Sequence, residues 1–341
     1  MKVKTYLLIG FIIVTVVVLI IAALLKSGIQ PVVPQPVVAN PDSNQESRML
    51  KGVSISPKSF TSADFVSFWA EAASIGDTIT WSGSIEELNE KGGAPYIMTQ
   101  FAVQNELEPV MVFQVYDRAT NKLFPAVVGQ EKEVTIKALK DFMANYDVKY
   151  VAIGIEVNQL YEQNSSEFDR YVELFNELNA AIKEVSPTAV VFPTFQYERL
   201  QGLRGGLFGG KIEPESNDWS LLSRFESADL IGLTTYPGLI YPVPSLIPDD
   251  YYSEIGKKTK KSVAFIEVGW SHDTIAKDWE STPQMQQAFI AKFKKDMQKL
   301  NVRMIIWSFL YDQDTVAPFQ YMGLRSKTDA EKTGSELEWA Q

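Results

Sequence analysis

The sequence predicts an α/β fold, a (β/α)8 TIM barrel preceded by a single N-terminal transmembrane helix. After residue 51, eight short apolar runs alternate with amphipathic stretches, the order expected of parallel strands joined by crossover helices. Most of these runs are continuously apolar, which is typical of strands that are buried on both faces. Eight such units within about 275 residues favour a closed barrel over an open doubly wound sheet. No G-x-G-x-x-G motif follows the first run, which weakens the open, nucleotide-binding alternative.

The amino terminus contains a long uncharged segment. Residues 6–25 carry no charge, and a helix of this length crosses a bilayer core about 30 Å thick. A cleaved signal has a shorter apolar region of about 7–15 residues, so an uncleaved anchor is favoured and a cleaved signal stays open. Lys2 and Lys4 precede the segment and favour an amino terminus inside the cell. We expect a single-pass protein of the cell membrane whose barrel faces outside, or a secreted protein if the segment is cleaved.

Composition then divides the chain into four parts. Residues 30–47 are rich in proline and then polar, which predicts an extended spacer rather than a packed element. One barrel takes about 250 residues, so 341 residues accommodate one domain with extensions. The predicted parts are a membrane anchor or signal at 1–28, a Pro-rich linker at 29–49, a (β/α)8 barrel at 50–325 and a C-terminal tail at 326–341.

Local signals place the elements of the barrel. Glu86 and Glu87 favour a helix that begins near Ser84, and Pro187 follows the end of the fourth helix. The predicted strands are 52–56, 78–81, 109–115, 150–156, 189–194, 230–235, 263–267 and 302–309. The other predicted helices are 62–75, 134–145, 167–185, a short one near 219–225, 249–257 and 283–300.

Charge and residue counts exclude several classes of function. The net charge of −10 argues against a nucleic-acid partner, because binding phosphates needs a basic face. The chain has no cysteine and a single histidine, His272, which excludes disulfides, thiolate metal sites and multi-histidine metal sites. Carboxylates remain as the groups for demanding chemistry. We therefore expect no cofactor and no metal, and we expect a monomer.

Two carboxylates stand at strand ends, where the active sites of such barrels form. Glu156 ends the fourth predicted strand and Glu267 the seventh, each between apolar neighbours. In a close pair of carboxylates one pKa rises, as a general acid requires. Two carboxylates about 5–5.5 Å apart can cleave a glycosidic bond by double displacement. A single such glutamate is often an ion-pair partner or a helix cap, but two on separate strands indicate a functional pair.

Aromatic and amide side chains at the other strand ends suit a polysaccharide or oligosaccharide substrate. Aromatic faces pack on the apolar face of a sugar ring, and amides bond its hydroxyl groups. Trp81 and Trp270 are equally compatible with packing of the barrel. His272 is more simply a loop residue, as are Asp312 and Asp314. The candidate substrate-binding residues are Trp81, Gln114, Asn158, Tyr236, Trp270 and Trp307.

These residues resemble glycoside hydrolase clan A, and the motifs are most similar to those of the endo-β-1,4-galactanases. Residues 154–158 read Gly-Ile-Glu-Val-Asn where that family has Gly-Asn-Glu-Ile/Val-Asn, and residues 265–270 resemble its nucleophile strand. The resemblance implies that Glu156 is the acid/base, that Glu267 is the nucleophile, that Tyr236 hydrogen-bonds the nucleophile and that Trp307 forms the floor of the sugar site. Ile155 replaces the asparagine that bonds the sugar 2-OH, a bond that isoleucine cannot make.

Three functions follow from this site. The first is a retaining glycoside hydrolase that cleaves β-linked glycans, with a galactan-like polymer as one candidate, in which Asn158 or Gln114 takes the role that Ile155 cannot fill. The second is a catalytically inactive glycan-binding surface protein on the same barrel. The third is a barrel that holds a divalent metal with carboxylates, which is weakened by the single histidine and by the lack of acids on adjacent strand ends.

Overall fold

The computed structural model describes residues 48–315, 317–329 and 331–341. The predicted anchor and nearly all of the predicted linker lie outside these residues. Within the described part of the chain, no helix combines the length and the apolar character that crossing a membrane requires. The barrel itself is confirmed, because all neighbouring strands of the main sheet pair in parallel and their order follows the sequence around the sheet.

The sheet closes at its fifth strand, which Pro193 divides into two segments. The first segment pairs with the fourth strand and the second with the sixth, so the two ends of the sheet belong to one strand. Proline has no N–H to donate, which explains the interruption. The strands are β1 Leu50–Ser54, β2 Thr78–Ser84, β3 Glu108–Gln114, β4 Tyr150–Ile153, β5 Val190–Phe192 with Thr194–Gln196, β6 Ile231–Thr235, β7 Val263–Val268 and β8 Val302–Trp307.

Several helices begin where the sequence supplies a capping side chain. Ser84 and Glu87 form a capping box, but the turn that follows is a 3-10 helix, Ile85–Asn89, and the α-helix predicted there begins only at Ala94. The helices are α1 Ser62–Ala73, α2 Ala94–Gln104, α3 Pro125–Val128, α4 Lys132–Asn145, α5 Val157–Gln163, α6 Ser165–Val185, α7 Tyr197–Leu200, α8 Glu254–Lys258, α9 Pro283–Met297 and α10 Gly334–Ala340. Further 3-10 helices span Gly206–Phe208, Pro214–Ser216, Trp219–Arg224, Pro237–Leu239, Pro244–Leu246 and Phe319–Tyr321.

Two apolar layers lie on the two sides of the barrel wall. Alternate residues of each strand point to opposite faces, so most strands contribute to both layers. The outer layer joins the strands to the helices and includes Phe113, Leu233 and Phe265. The inner layer fills the barrel and consists of Val110, Val112, Tyr150, Ala152, Phe192, Leu230, Ala264, Ile266, Met304 and Ile306. The interior is therefore a packed core, and a site can form only at its rim.

The predicted C-terminal tail packs on the outer side of the barrel wall. Within it, α10 buries Trp339 completely against Trp307 of β8, with ring centroids 5.6 Å apart. Glu336 of the same helix is fully buried, and its Oε1 accepts a 2.6 Å hydrogen bond from Nη2 of Arg325. The segment after residue 326 thus packs on the barrel as its last helix.

Candidate active site

The chain turns sharply at the end of β4, which brings Glu156 to the rim. The predicted strand 150–156 ends at Ile153, because Gly154 and Glu156 have positive φ angles of 85° and 50°. The left-handed conformation is rare for a glutamate and costs roughly 1–3 kcal/mol, so the surrounding contacts must hold it. Thr194 supplies two of these contacts: its hydroxyl donates to Gly154 O at 2.9 Å and accepts from Glu156 N at 3.0 Å.

Two buried tyrosines complete the support of this turn. Tyr171 donates a 2.6 Å hydrogen bond to Ile153 O, and Tyr116 donates a 2.9 Å bond to Ile155 O. Burial raises the pKa of Tyr116 to about 12, so its hydroxyl keeps its proton near neutral pH. These contacts fix the backbone of Glu156, which is the N-cap of α5. Its side chain lies at the rim.

The Glu156 carboxylate is almost fully buried and accepts hydrogen bonds on both oxygens. Oε1 accepts from the Thr234 hydroxyl at 2.6 Å, and Oε2 accepts from Nη2 of Arg118 at 3.0 Å. The side-chain amide of Gln159 also donates to Oε2. Burial alone would lower the pKa of Arg118, but the carboxylates of Glu156 and Glu267 raise it, which keeps the guanidinium charged. The buried charge of Glu156 is thereby paired, as a buried carboxylate needs to be.

A register shift in β7 turns the side chain of Glu267 towards the part of the rim where Glu156 lies. Phe265 pairs with Leu233 of β6, but Glu267 pairs with Thr234, so Ile266 is an extra residue on the β7 side. Strict alternation would put Ile266 inside the barrel and Glu267 outside. The bulge instead places Glu267 beside Thr234, the residue that bonds Glu156, and bulges near active sites commonly re-aim a side chain in this way.

Glu267 has one clear partner at the rim. The hydroxyl of Tyr236 donates a 2.5 Å hydrogen bond to Glu267 Oε2, which is the contact that the family resemblance implies. Burial raises the pKa of Glu267, and the charge of Glu156 raises it further, while the Tyr236 bond and the charge of Arg118 oppose the shift. The ionisation of Glu267 therefore depends on these neighbours.

The two amides predicted to contact substrate occupy different settings. Asn158 is fully buried, and its amide donates to Gln196 O and accepts from Gln196 N, both at 2.9 Å. Asn158 therefore braces α5 against β5 and is not available for the sugar hydrogen bond that Ile155 cannot make. Gln114 ends β3 at the rim and is half-buried, and its contact with substrate stays a prediction.

The three predicted tryptophans lie on the outer side of the barrel wall, which corrects their assignment as sugar-binding residues. Trp81 packs edge-on against Phe113 at 5.7 Å, and Trp270 stacks on Phe289 at 5.2 Å. Trp307 is fully buried, and its indole donates a 2.8 Å hydrogen bond to Met322 O. Met304 and Ile306 point into the barrel, so alternation along β8 turns Trp307 away from the rim.

Several residues that sequence reasoning missed contribute to the rim. Arg118 comes from the loop after β3, and Thr234 is the fourth residue of a β6 strand that is buried throughout. Arg118 carries no sequence signal, because a long-range contact from a loop has no periodicity. Thr234 carries none, because a strand that is buried on both faces lacks polar alternation. Tyr236 also packs edge-on against half-buried Phe319 at 5.2 Å. This apolar cluster beside Glu267 is completed by Leu207, Phe208, Leu239, Phe309 and Met322.

The pair His272–Asp312 lies on the loops that follow β7 and β8. Nε2 of His272 is 3.0 Å from Asp312 Oδ2, and this carboxylate raises the pKa of His272 against the opposing effect of burial. Asp312 also accepts a 3.0 Å bond from Gly323 N. These contacts tie the two loops together, so Asp312 is a structural residue rather than a solvated one. Among the described residues, no three potential metal-ligating side chains form a group.

Comparison with known proteins identifies the fold. No protein-family model matches the chain, and a search of curated proteins finds no match. Solved structures do match: an exo-β-1,4-mannosidase from Opitutaceae bacterium strain TAV5 has a TM-score of 0.59 at 14% identity over 85% of this chain and 58% of its own. A family 39 glycoside hydrolase from Bacteroides cellulosilyticus WH2 has a TM-score of 0.55 at 17% identity over 85% and 62%. The chain shares the barrel of glycoside hydrolases.

A third solved structure matches over nearly its whole length. The GH53 catalytic domain of Ignisphaera aggregans has a TM-score of 0.56 at 14% identity, covering 90% of this chain and 99% of that domain. The chain spans only 58% and 62% of the length of the first two proteins. At these identities the likeness shows the fold alone.

Proposed function

We propose that the chain is a retaining glycoside hydrolase that cleaves β-linked glycans, with Glu267 as nucleophile and Glu156 as acid/base. The observation that carries the proposal is the convergence of both carboxylates on Thr234, one by a hydrogen bond and one by strand register. They come from β4 and β7, as in the barrels that the motifs resemble. The fold shared with solved glycoside hydrolases supports the same reaction class.

In this proposal each oxygen of Glu267 has its own role. Tyr236 bonds Oε2 and orients the carboxylate, which leaves Oε1 to attack the anomeric carbon. As that bond forms, the bond to the leaving oxygen breaks, and Glu156 transfers a proton to the departing group. In the second step Glu156 takes a proton from water, the water oxygen attacks the anomeric carbon, and the bond to Glu267 breaks.

Arg118 competes with the proton that Glu156 needs for the first step. Both oxygens of Glu156 act as acceptors, one for Thr234 and the other for Arg118 and Gln159. A general acid has to carry a proton on one of these oxygens, and a proton on Oε2 would compete with the Arg118 and Gln159 donors. We infer that a sugar entering the cleft displaces Arg118, whose side chain is 36% exposed and lies on a surface loop.

Two observations favour a second candidate, a glycan-binding protein without turnover. The ion pair with Arg118 occupies the proposed acid, and Ile155 packs on the apolar interior of the barrel where the resembling family has an asparagine. Purified full-length chain should be offered aryl β-glycosides and β-linked polysaccharides, and the anomeric configuration of the first product measured by NMR. Turnover with retention supports the hydrolase. Inversion overturns the double displacement, and binding of a glycan without turnover favours the second candidate.

The amino-terminal sequence supports a proposal for where this activity takes place. We propose that residues 1–28 anchor the chain in the cell membrane as a single pass, that 29–49 space the barrel from the lipid, and that the barrel acts outside as a monomer. Intact cells treated with protease should lose the barrel, and the native protein should sediment with membranes. Recovery of a soluble form that begins near residue 27 would instead show cleavage of a signal.

A further inference from the structure

Glu198 is a fully buried carboxylate behind the rim, and the mechanism above does not use it. It lies in α7, directly after β5, and accepts four hydrogen bonds. Oε1 accepts from the hydroxyl of Thr235 at 2.7 Å, from Tyr236 N at 3.0 Å and from the hydroxyl of Tyr251 at 3.1 Å. Oε2 accepts from the amide of Gln196 at 2.6 Å. All four donors are neutral, and none of the ion pairs found among the described residues includes Glu198.

Burying such a charge without a cation is unfavourable, so stability does not explain its presence. Burial raises the pKa of Glu198 to about 7, against the hydrogen bonds from Thr235, Tyr251 and Tyr236, which favour the anion. A folded-state pKa above the usual 4.5 means that the protonated form is the one that folding favours. The stabilisation is complete below pH 4.5 and is lost as the pH rises through about 7. Ionised Glu198 therefore weakens the fold at neutral pH.

The groups that face Glu198 are tyrosines from three elements. Tyr197 lies on α7, Tyr241 follows β6, and Tyr251 and Tyr252 precede α8; Glu198 is among the causes that raise the pKa of each. Burial raises these pKa values as well, so the tyrosines stay neutral near pH 7. Glu198 is thus the group of this cluster that changes charge near neutral pH.

The contact with Tyr236 links Glu198 to the nucleophile. Tyr236 offers its backbone N–H to Glu198 and its hydroxyl to Glu267, so one residue joins the two carboxylates. We propose that Glu198 is a positioning residue that fixes the backbone of Tyr236 and thereby orients Glu267 for attack. The role in catalysis rests on the proposed function, whereas the positioning itself does not.

Protonation of Glu198 should loosen this arrangement. A carboxylic acid carries a proton on one oxygen, and all four present contacts require an acceptor. At least one donor must then turn away or lose its partner, and the Tyr236 N–H shares its oxygen with two other donors. The acidic limb of the activity profile should therefore contain the titration of Glu198 as well as that of Glu267.

The test uses Glu198→Gln, Tyr236→Phe and the double variant in the full chain. We expect Glu198→Gln to lower kcat about 100-fold, the typical effect of a small displacement of a reacting group, with KM changed much less. If Glu198 acts through Tyr236, the double variant should be no slower than the slower single variant. Multiplication of the two single effects would overturn the inference, because independent sites combine additively in free energy.

A second measurement does not depend on turnover. The ¹³C resonance of the Glu267 carboxyl, assigned with Glu267→Gln, should titrate at higher pH in Glu198→Gln, because a displaced Tyr236 no longer favours the ionised form. Thr235→Val, which removes one donor to Glu198 and nothing from Glu267, should shift the same midpoint upward by less. An unchanged Glu267 midpoint in both variants overturns the positioning role. A raised midpoint in a protein that cleaves no glycan supports it while contradicting the proposed function.

Discussion

Thr234 and Glu267 are register partners on neighbouring strands, and the Thr234 hydroxyl lies 2.6 Å from Oε1 of Glu156. A single β6 residue thus defines the relative position of the two proposed catalytic groups. The register shift in β7 is what creates this arrangement, since without it Glu267 would face the helices.

Thr234→Val should therefore lower kcat/KM about 10-fold, because one hydrogen bond that orients Glu156 is removed while the shape of the side chain is kept. The free energy of unfolding should fall by only about 1 kcal/mol. The matched control is Thr78→Val, whose buried hydroxyl donates a 2.7 Å bond to Glu108 O at the start of β3. Equal loss of activity in both variants would show that general destabilisation, and not the contact with Glu156, is responsible.

Arg118→Gln should make the activity more sensitive to acid. The charge of Arg118 lowers the pKa of Glu267, so its removal lets that already raised pKa rise further. A nucleophile must be ionised, and the acidic limb of kcat/KM should consequently move to higher pH. Arg170→Gln is the control, because Arg170 is half exposed and pairs with Glu167 away from the rim. An acidic limb that stays in place, or moves to lower pH, would contradict the effect of the Arg118 charge on Glu267.

How far the sequence predicts this molecule depends on the kind of pattern. Continuous apolar runs predict the order and the approximate positions of the strands. Glu156 and Glu267 become candidates because they stand at the predicted ends of two of these strands. The same runs hide which way a residue faces, because a strand buried on both sides has no polar alternation. Trp307 could for this reason be placed on β8 but not on its outer face. The contact between Arg118 and Glu156 spans 38 residues, and no local pattern encodes it.

The C-terminal helix provides a test of the fold that is independent of the chemistry. Glu336→Ala should lower the free energy of unfolding by about 3 kcal/mol or more, because it leaves buried Arg325 without its main partner. Denaturation in urea measures the change, with Glu184→Ala as control. Glu184 pairs with Lys140 on the surface and should cost less than about 1 kcal/mol. Similar losses of unfolding free energy in both variants would contradict the view that α10 packs on the barrel as an integral helix.

Azide rescue of the two alanine variants tests the central claim about Glu267 and Glu156 most directly. Both variants should be assayed with a dinitrophenyl β-glycoside, whose leaving group needs no protonation, and the configuration of the glycosyl azide determined by NMR. Glu267→Ala should be nearly inactive and should yield the inverted azide, because azide replaces the missing nucleophile on the opposite face. Glu156→Ala should show a burst as the covalent intermediate accumulates, and azide should then yield the retained product. The same configuration from both variants, or a wild type that binds glycans without cleaving them, would contradict the assignment.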